Sequence, residues 1–268
     1  MVGYHEGVGR LLDSYLSVPE DRPVRLAKRT SNLFRSRARV STRGLDVSGL
    51  TSVLSVDPQA GTAEVGGMCT YEDLVAATLP HGLVPLVVPQ LKTITLGGAV
   101  TGLGIESTSF RNGLPHESVL ELDVLAGTGE IITATPDNEH SDLYRGFPNS
   151  YGSLGYATRL KIELEPVLSR VSLRHFRFGD LAELVDATHA IVSTHRWEGE
   201  DVDYLDGVVF SATESYLTLG RRSDERGRPS DYTGQDIYYR SIQHGAATPR
   251  HDLLTTHDYL WRWDTDWF

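Results

Sequence analysis

Near the start of the chain, Val8, Leu11, Leu12, Tyr15 and Leu16 fall at helical spacing, so the pattern predicts a short amphipathic helix over residues 6–17. Further on the pattern changes to strands. Residues 50–56 and 62–65 read as a pair joined across Asp57-Pro58-Gln59-Ala60-Gly61, where proline and glycine supply the turn torsions. Thr70-Tyr71-Glu72-Asp73 has capping-box spacing. It predicts a helix carrying Leu74, Val75, Thr78 and Leu79 on its apolar face and stopped by Gly82. Residues 83–90 contain Pro85 and Pro89, which forbid a helix, and are predicted extended and buried.

Residues 119–125 alternate, with Leu120, Leu122 and Val124 on one face and Glu121 and Asp123 on the other. A Gly127-Thr128-Gly129 turn returns this strand into residues 130–135 as a hairpin. The clearest strand covers residues 156–164, where Thr158, Leu160, Ile162 and Leu164 oppose Arg159, Lys161 and Glu163. Pro166 marks a boundary. Beyond it come a strand at 171–178, a helix capped by Asp180 and running to about His195, and a hairpin of 202–211 with 214–222. Residues 223–235 read as a loop. The β-α-β-β order predicts helices packed on an antiparallel sheet, so the whole chain is read as α+β, with domains at 1–166 and 167–268. Five aromatic residues, Tyr259, Trp261, Trp263, Trp267 and Phe268, crowd the last ten positions. Rings of this size are not left in water, so the segment either packs back or continues into further chain. The second is preferred, with the missing portion supplied by a C-terminal segment or a partner chain.

Composition narrows the function classes. A length of 268 residues suits two domains. A net charge of −11 argues against a nucleic-acid binder, whose affinity comes from cations laid on phosphates. One cysteine, Cys69, excludes an intramolecular disulfide and fits a reducing compartment. The first residues lack the layout of a signal peptide, and no apolar run is long enough to span a bilayer. The expected location is cytoplasmic, with peripheral membrane attachment left open. Against this acidic background, Arg25, Lys28, Arg29, Arg35, Arg37 and Arg39 form a run without an acidic residue. That run is either an anion-facing loop or a solvated basic surface.

The densest chemical signal is Thr95, Leu96, Gly97, Gly98, Ala99, Val100, Thr101, Gly102, Leu103, Gly104, Ile105, Glu106 and Ser107. Glycines at this density let backbone N–H groups reach a ligand and form an anion-binding concavity; the alternative is close strand–helix packing. The segment has neither the third glycine of a dinucleotide fingerprint nor the Gly-Lys-Ser/Thr of a P-loop. Gly152, Ser153 and Gly155 form a second small-residue site ahead of the strongest strand, and no nucleophile elbow is present. His244, His251 and His257 match no zinc spacing, and Asp264 with Asp266 reads as a charge network beside Arg262, so no metal is expected.

Residues 83–114 and 141–166 resemble the FAD-binding core of the vanillyl-alcohol oxidase/p-cresol methylhydroxylase (PCMH-type) superfamily. Gly104-Ile-Glu-Ser107 and Tyr151-Gly-Ser-Leu-Gly-Tyr156 are most similar to its delta-24 sterol reductase group. The resemblance implies a two-subdomain FAD-binding fold, followed by part of a substrate domain built on an antiparallel sheet. It also implies that residues 95–107 line FAD. Many relatives have an Arg-Gly-Gly-Gly-His-Ser loop whose histidine holds flavin covalently. The matching place here, residues 28–34, has neither the glycine triplet nor the histidine. The resemblance therefore implies non-covalent FAD, with Thr30, Ser31 and Asn32 donating hydrogen bonds. It implies hydride transfer at flavin N5, either from NADPH to an apolar or sterol-like small molecule or, in an oxidase, from an alcohol or sugar alcohol. Tyr239, Arg262 and Asp264 are candidates for the substrate side. A flavin-binding or partner-binding module without turnover is the remaining alternative.

Overall fold

A computed structural model describes residues 2–19, 21–27, 44–233, 237–245 and 248–266. It is an α+β chain that divides into two compact units. The first comprises Met1–Pro85, Lys92–Gly104 and Leu114–Glu165; the second comprises Leu86–Leu91, Ile105–Gly113 and Pro166–Phe268.

In chain order the elements up to the boundary are α1 (Val2–Leu16), β1 (Val53–Asp57), β2 (Thr62–Gly66), α2 (Tyr71–Thr78), β3 (Leu83–Pro85), α3 (Leu96–Gly102), α4 (Ser109–Asn112), β4 (Val119–Leu125), β5 (Ile131–Ala134), α5 (Ser141–Gly146) and β6 (Tyr156–Pro166). All but α4 belong to the first unit. Its six-stranded sheet runs β1-β2-β6-β4-β5, with β3 also paired to β6. The expected hairpins form, and β6 buries Thr158, Leu160, Ile162 and Leu164 as its alternation requires. Helix α1 puts Tyr4 and Leu11 into a cluster with Leu45, Val47, Leu50, Met68 and Leu125. It approaches so closely that a Cβ on Gly7 would lie 2.8 Å from the Gly49 backbone. Thr70 caps α2 by accepting the Asp73 N–H at 3.2 Å and donating its hydroxyl to the Asp73 carboxylate at 2.8 Å. The chain then turns at Gly82, whose φ of 69° no β-carbon favours.

Strand β4 departs from the simple alternation. Its register with β6 shifts between Val119 and Glu121 and again between Asp123 and Val124. The bulge turns Leu120 outwards, 37% exposed, and Asp123 inwards. Asp123 is held there by the Arg159 Nε at 2.8 Å and the Thr133 hydroxyl at 2.8 Å. Arg159 also pairs with Glu121 and with Glu64.

The second unit holds α4 and, after the boundary, β7 (Arg170–Phe178), α6 (Leu181–Thr194), β8 (Arg196–Trp197), β9 (Glu200–Asp201), β10 (Tyr204–Ser211), β11 (Glu214–Ser223), α7 (Tyr238–Ile242), β12 (Arg250–Thr255) and α8 (Thr256–Leu260). Its four-stranded antiparallel sheet runs β10-β11-β7-β12. Helix α6 starts at Asp180, whose carboxylate accepts the Ala182 N–H at 2.6 Å, and ends at His195 in the left-handed region. Ala187 and Ile191 of α6 cluster with Phe176, Val202, Leu217 and Leu219. Of the aromatic end, Tyr259 and Trp261 are buried in this unit, so that part packs back; residues 267–268 lie outside the described ones.

Candidate functional site

The glycine-rich segment is shared between the units: residues 95–104 belong to the first and 105–107 to the second. In the first unit, α3 starts at Thr95, which bridges to Thr70. Its first two N–H groups are already committed, Leu96 to the Cys69 carbonyl and Gly97 to the Gly67 carbonyl, each at 2.9 Å. A Cβ on Gly97 would lie 2.6 Å from that Gly67 oxygen, and one on Gly67 would lie 2.0 Å from the Ala157 carbonyl. At Gly97, therefore, glycine permits backbone-to-backbone packing of α3 on β2 and β6. Gly98 is exposed and faces only the Thr95 hydroxyl, while nothing lies within 4 Å of a Cβ on Gly102. Ala99 and Val100 are buried, and Thr101 donates its hydroxyl to the Gly97 carbonyl at 2.8 Å.

The second small-residue site meets the end of this helix. Asn149 N–H donates to the Val100 carbonyl at 3.4 Å and Tyr151 N–H to the Thr101 carbonyl at 3.1 Å. The Tyr151 hydroxyl reaches the Gly102 carbonyl at 3.3 Å. Loop 149–155 thus satisfies the last carbonyls of α3, which a helix end leaves without partners. Backbone strain concentrates here. Leu103 (φ 54°), Asn149 (58°), Tyr151 (50°), Gly152 (84°) and Gly155 (127°) all have positive φ. Left-handed non-glycine residues cost of order 1–3 kcal/mol each and persist where surrounding structure enforces them. Gly155 has no alternative, because a Cβ there would lie 2.2 Å from the Leu125 carbonyl. Ser153 closes the turn by donating its hydroxyl to the Ser150 carbonyl at 2.7 Å. At this junction the apolar side chains of Leu103, Tyr151 and Leu154 remain exposed.

In the second unit, segment 105–113 is pinned by three side chains. Thr108 and Asn112 donate to the Leu86 carbonyl at 2.8 and 2.7 Å, and Arg111 Nε donates to the Asp203 carbonyl at 2.9 Å. Ile105 is exposed, whereas Glu106 enters a buried charge cluster. Arg262, only 1% exposed, donates through Nη2 to Asp206 at 2.5 Å and to Glu106 Oε1 at 3.4 Å, and through Nη1 to the Tyr259 carbonyl at 2.7 Å. Its guanidinium lies 3.8 Å from the Tyr259 ring centroid. The Tyr259 hydroxyl bonds the Ser107 hydroxyl at 3.0 Å, and Ser107 N–H donates to Glu106 Oε1 at 2.9 Å. Burial pushes the Glu106 carboxyl up to about 7; Arg262 opposes the shift and Asp206 adds to it.

The other sequence candidates fall elsewhere. Thr30, Ser31 and Asn32 lie outside the described residues. Tyr239 stands on α7, where its hydroxyl accepts from Arg240 Nε at 3.1 Å. Asp266 caps α7 by accepting the N–H groups of Tyr238 and Tyr239 at 2.9 and 3.1 Å. Asp264 donates its N–H to the Trp261 carbonyl at 3.0 Å. His257 sits 3.1 Å from Asp258, the His244 ring lies 3.3 Å from the His175 carbonyl, and His251 lies on β12. Among the described residues, no group of three His, Cys, Asp or Glu side chains is placed to hold a metal, and no helix is long and apolar enough to cross a membrane. Two polar residues in strands escaped the sequence reading. Asp206 of β10 looks like an ordinary solvent-side residue. His175 of β7 is fully buried against the Thr218 hydroxyl at 2.8 Å, and burial holds its imidazole down to about 4.

Residues 18–135 match the family described as FAD binding domain. This segment is similar to the FAD-binding proteins of the superfamily that the chain's motifs resemble. It is similar to the delta(24)-sterol reductases of Pisum sativum (28% identity over 66% of this chain) and Arabidopsis thaliana (30% over 66%), and it covers 32% of each. It is also similar to cytokinin dehydrogenase 7 of Oryza sativa subsp. japonica, at 34% identity over 58% of this chain and 30% of that protein. The chain thus spans about a third of the length of these relatives.

Proposed function

We propose that the chain supplies the FAD-binding part of an oxidoreductase of the reductase type, acting on an apolar or sterol-like small molecule with NADPH as electron donor. In this reading the first unit binds the cofactor and the second contributes to the substrate side. FAD is held non-covalently, since residues 28–34 lack the histidine-bearing loop. The observation that carries the reading is the meeting of α3 with loop 149–155, which brings both glycine-rich segments together on an open, strained shelf within an FAD binding domain. That shelf fits a flat ligand: Gly102 leaves the space of a side chain empty, and Leu103, Tyr151 and Leu154 offer apolar surface. Gly98, Gly102 and the backbone of residues 152–155 would hold the cofactor, with Thr30, Ser31 and Asn32 on its pyrophosphate. FAD, when bound, supplies hydride exchange at its N5. The likeness to cytokinin dehydrogenases favours a second reading, in which the chain works in the oxidising direction. A single buried cysteine agrees with a cytoplasmic setting.

The test is the absorbance spectrum of the purified chain, with and without added FAD. Flavin bands in the wild type, lost in Gly102→Val while the circular dichroism is unchanged, are expected. No flavin retained after FAD addition refutes the cofactor reading. Anaerobic NADPH then separates the directions, because a reductase bleaches and an oxidase does not. Flavin that no donor reduces indicates a binding module without turnover.

A further inference from the structure

On one face of its sheet the second unit holds a cavity of about 460 Å³, within the size range of small-molecule sites. Strand register sets its floor. Leu219, Arg174 and His251 stand side by side on β11, β7 and β12, and Arg221, Ser172 and Leu253 form the next row on the same face. Glu200 and Asp201 of β9 line the cavity, as do Glu225, Arg226 and Arg228 of the loop after β11. All of these residues belong to the second unit. The loop is fastened where it matters: Arg170 Nη1 donates to the Gly227 carbonyl at 2.6 Å, and the Ser230 N–H donates to the Leu253 carbonyl at 2.8 Å. Arg174 is fixed as well. Its Nη2 donates to the Trp197 carbonyl at 3.2 Å, and its guanidinium lies 5.1 Å from the Phe176 ring centroid.

Four of the lining residues are therefore arginines, in a chain whose net charge is −11. The neighbouring acids do not use up their donors. Arg174 lies 3.7 Å from Glu198 and 3.6 Å from Glu200, and Arg221 lies 3.7 Å from Glu200, ion-pair distances too long for hydrogen bonds. Asp201 is engaged by Arg196 at 3.3 Å, and Asp252 by the hydroxyls of Ser230 and Tyr232. Arg226, Arg228 and His251 have no hydrogen-bond or ion-pair partner among the described residues. A guanidinium is a planar fork of N–H donors and accepts nothing. The cavity is thus rich in charged donors and short of acceptors. A carboxylate would answer with two oxygens, whereas a phosphate answers with three and with a charge of about −1.5 to −2.

We propose that this cavity binds a small phosphate-bearing molecule, with its phosphate between Arg226 and Arg228 of the loop and Arg174 and Arg221 of the floor. Leu219, Gly220 and Leu253 leave apolar surface beside it for an organic part. The site does not depend on flavin binding by the first unit.

Isothermal titration calorimetry on the full chain tests this with inorganic phosphate, adenosine 5′-monophosphate, adenosine and succinate. Both phosphates are expected to bind, adenosine is not, and succinate binds about tenfold more weakly or worse. A tighter monophosphate identifies a phosphate ester as the occupant, and equal affinities identify free phosphate. Arg226→Ala and Arg228→Ala remove exposed side chains without partners, so the circular dichroism should be unchanged while each lowers phosphate affinity about tenfold or more. Arg177→Ala and Arg240→Ala remove the same charge from exposed positions outside the cavity and leave the affinity unchanged. Binding of neither phosphate, or equally tight binding of adenosine or succinate, overturns the proposal. So does phosphate held by Arg226→Ala and Arg228→Ala as tightly as by the wild type, a result that places it elsewhere in the chain, a cofactor site included.

Discussion

Alanine at Gly97 tests whether the glycines of α3 serve packing or a ligand. The new Cβ would lie 2.6 Å from the Gly67 carbonyl oxygen and 3.4 Å from the Ala157 β-carbon. Neither neighbour yields easily. Gly67 is tied to the Thr158 carbonyl through its N–H at 2.9 Å and already sits against the Ala157 backbone. Helix α3 must therefore lift by a few tenths of an ångström, stretching the Gly97 N–H bond to Gly67. Overpacking of this kind costs about 1–3 kcal/mol, and weakening the hydrogen bond adds about 1 kcal/mol. The better helix propensity of alanine returns about 1 kcal/mol. The net is a loss of about 1–3 kcal/mol, or roughly 3–9 °C in Tm for a chain of this size. Gly102→Ala is the internal control. Its Cβ meets nothing within 4 Å and its φ is not positive, so stability should hold or rise by up to about 1 kcal/mol. Thermal unfolding of the flavin-free chain, followed by circular dichroism, measures both. If Gly97→Ala melts at or above wild type, or Gly102→Ala falls equally far, the close-packing account of α3 is wrong.

Two further outcomes follow from burial. His175 stays neutral in the folded state down to about pH 4, whereas an unfolded histidine takes its proton near 6.5, so unfolding binds a proton between these values. Its contribution is complete above about pH 6.5 and is lost as the pH falls towards 4, a loss of up to about 3 kcal/mol. His175→Gln should flatten the urea-midpoint profile over that window relative to wild type, and parallel profiles would rule the effect out. Glu106, raised to about 7, has the opposite sign: stability declines as pH rises from about 4.5 to 7. Glu106→Gln should therefore gain on wild type across that range. Cys69 is fully buried and its thiol is pushed up to about 12 by burial, so a thiol reagent at pH 8 should find no reactive group until urea unfolds the chain. Rapid native labelling would show that the first unit opens locally.

The sequence reading located most elements because their signals are local. Thr70, Asp180 and Gly82 act within one turn of themselves, and the alternation of β6 reports directly on a sheet with one buried face. It placed Leu120 on the wrong face because a bulge inserts a residue that no periodicity announces. Strand β12 has no alternation to announce it, since it starts with the polar Arg250-His251-Asp252, and it forms against the edge that β7 offers. The glycine density of α3 was visible, but the division of labour within it was not. Gly97 meets Gly67, thirty residues away in sequence, while Gly102 meets nothing. The charge cluster was legible only in fragments. Glu106 and Arg262 stood out singly, and Asp206, which decides the charge balance between them, looked like one more strand residue.

The threading of the chain between its two units has a practical consequence. The backbone passes from one to the other after Pro85, Leu91, Gly104, Gly113 and Glu165, so neither unit is a continuous stretch of sequence. A cut at Pro166 cannot release two intact halves. The N-terminal piece would carry away Thr108, Asn112 and Glu106, and the C-terminal piece would keep Arg262 and Asp206 without the acid that faces them. Fusions and domain exchanges that treat residue 166 as a clean joint would sever the buried cluster of Arg262, Asp206 and Glu106. A graft of the second unit onto another protein must move residues 86–91 and 105–113 with it.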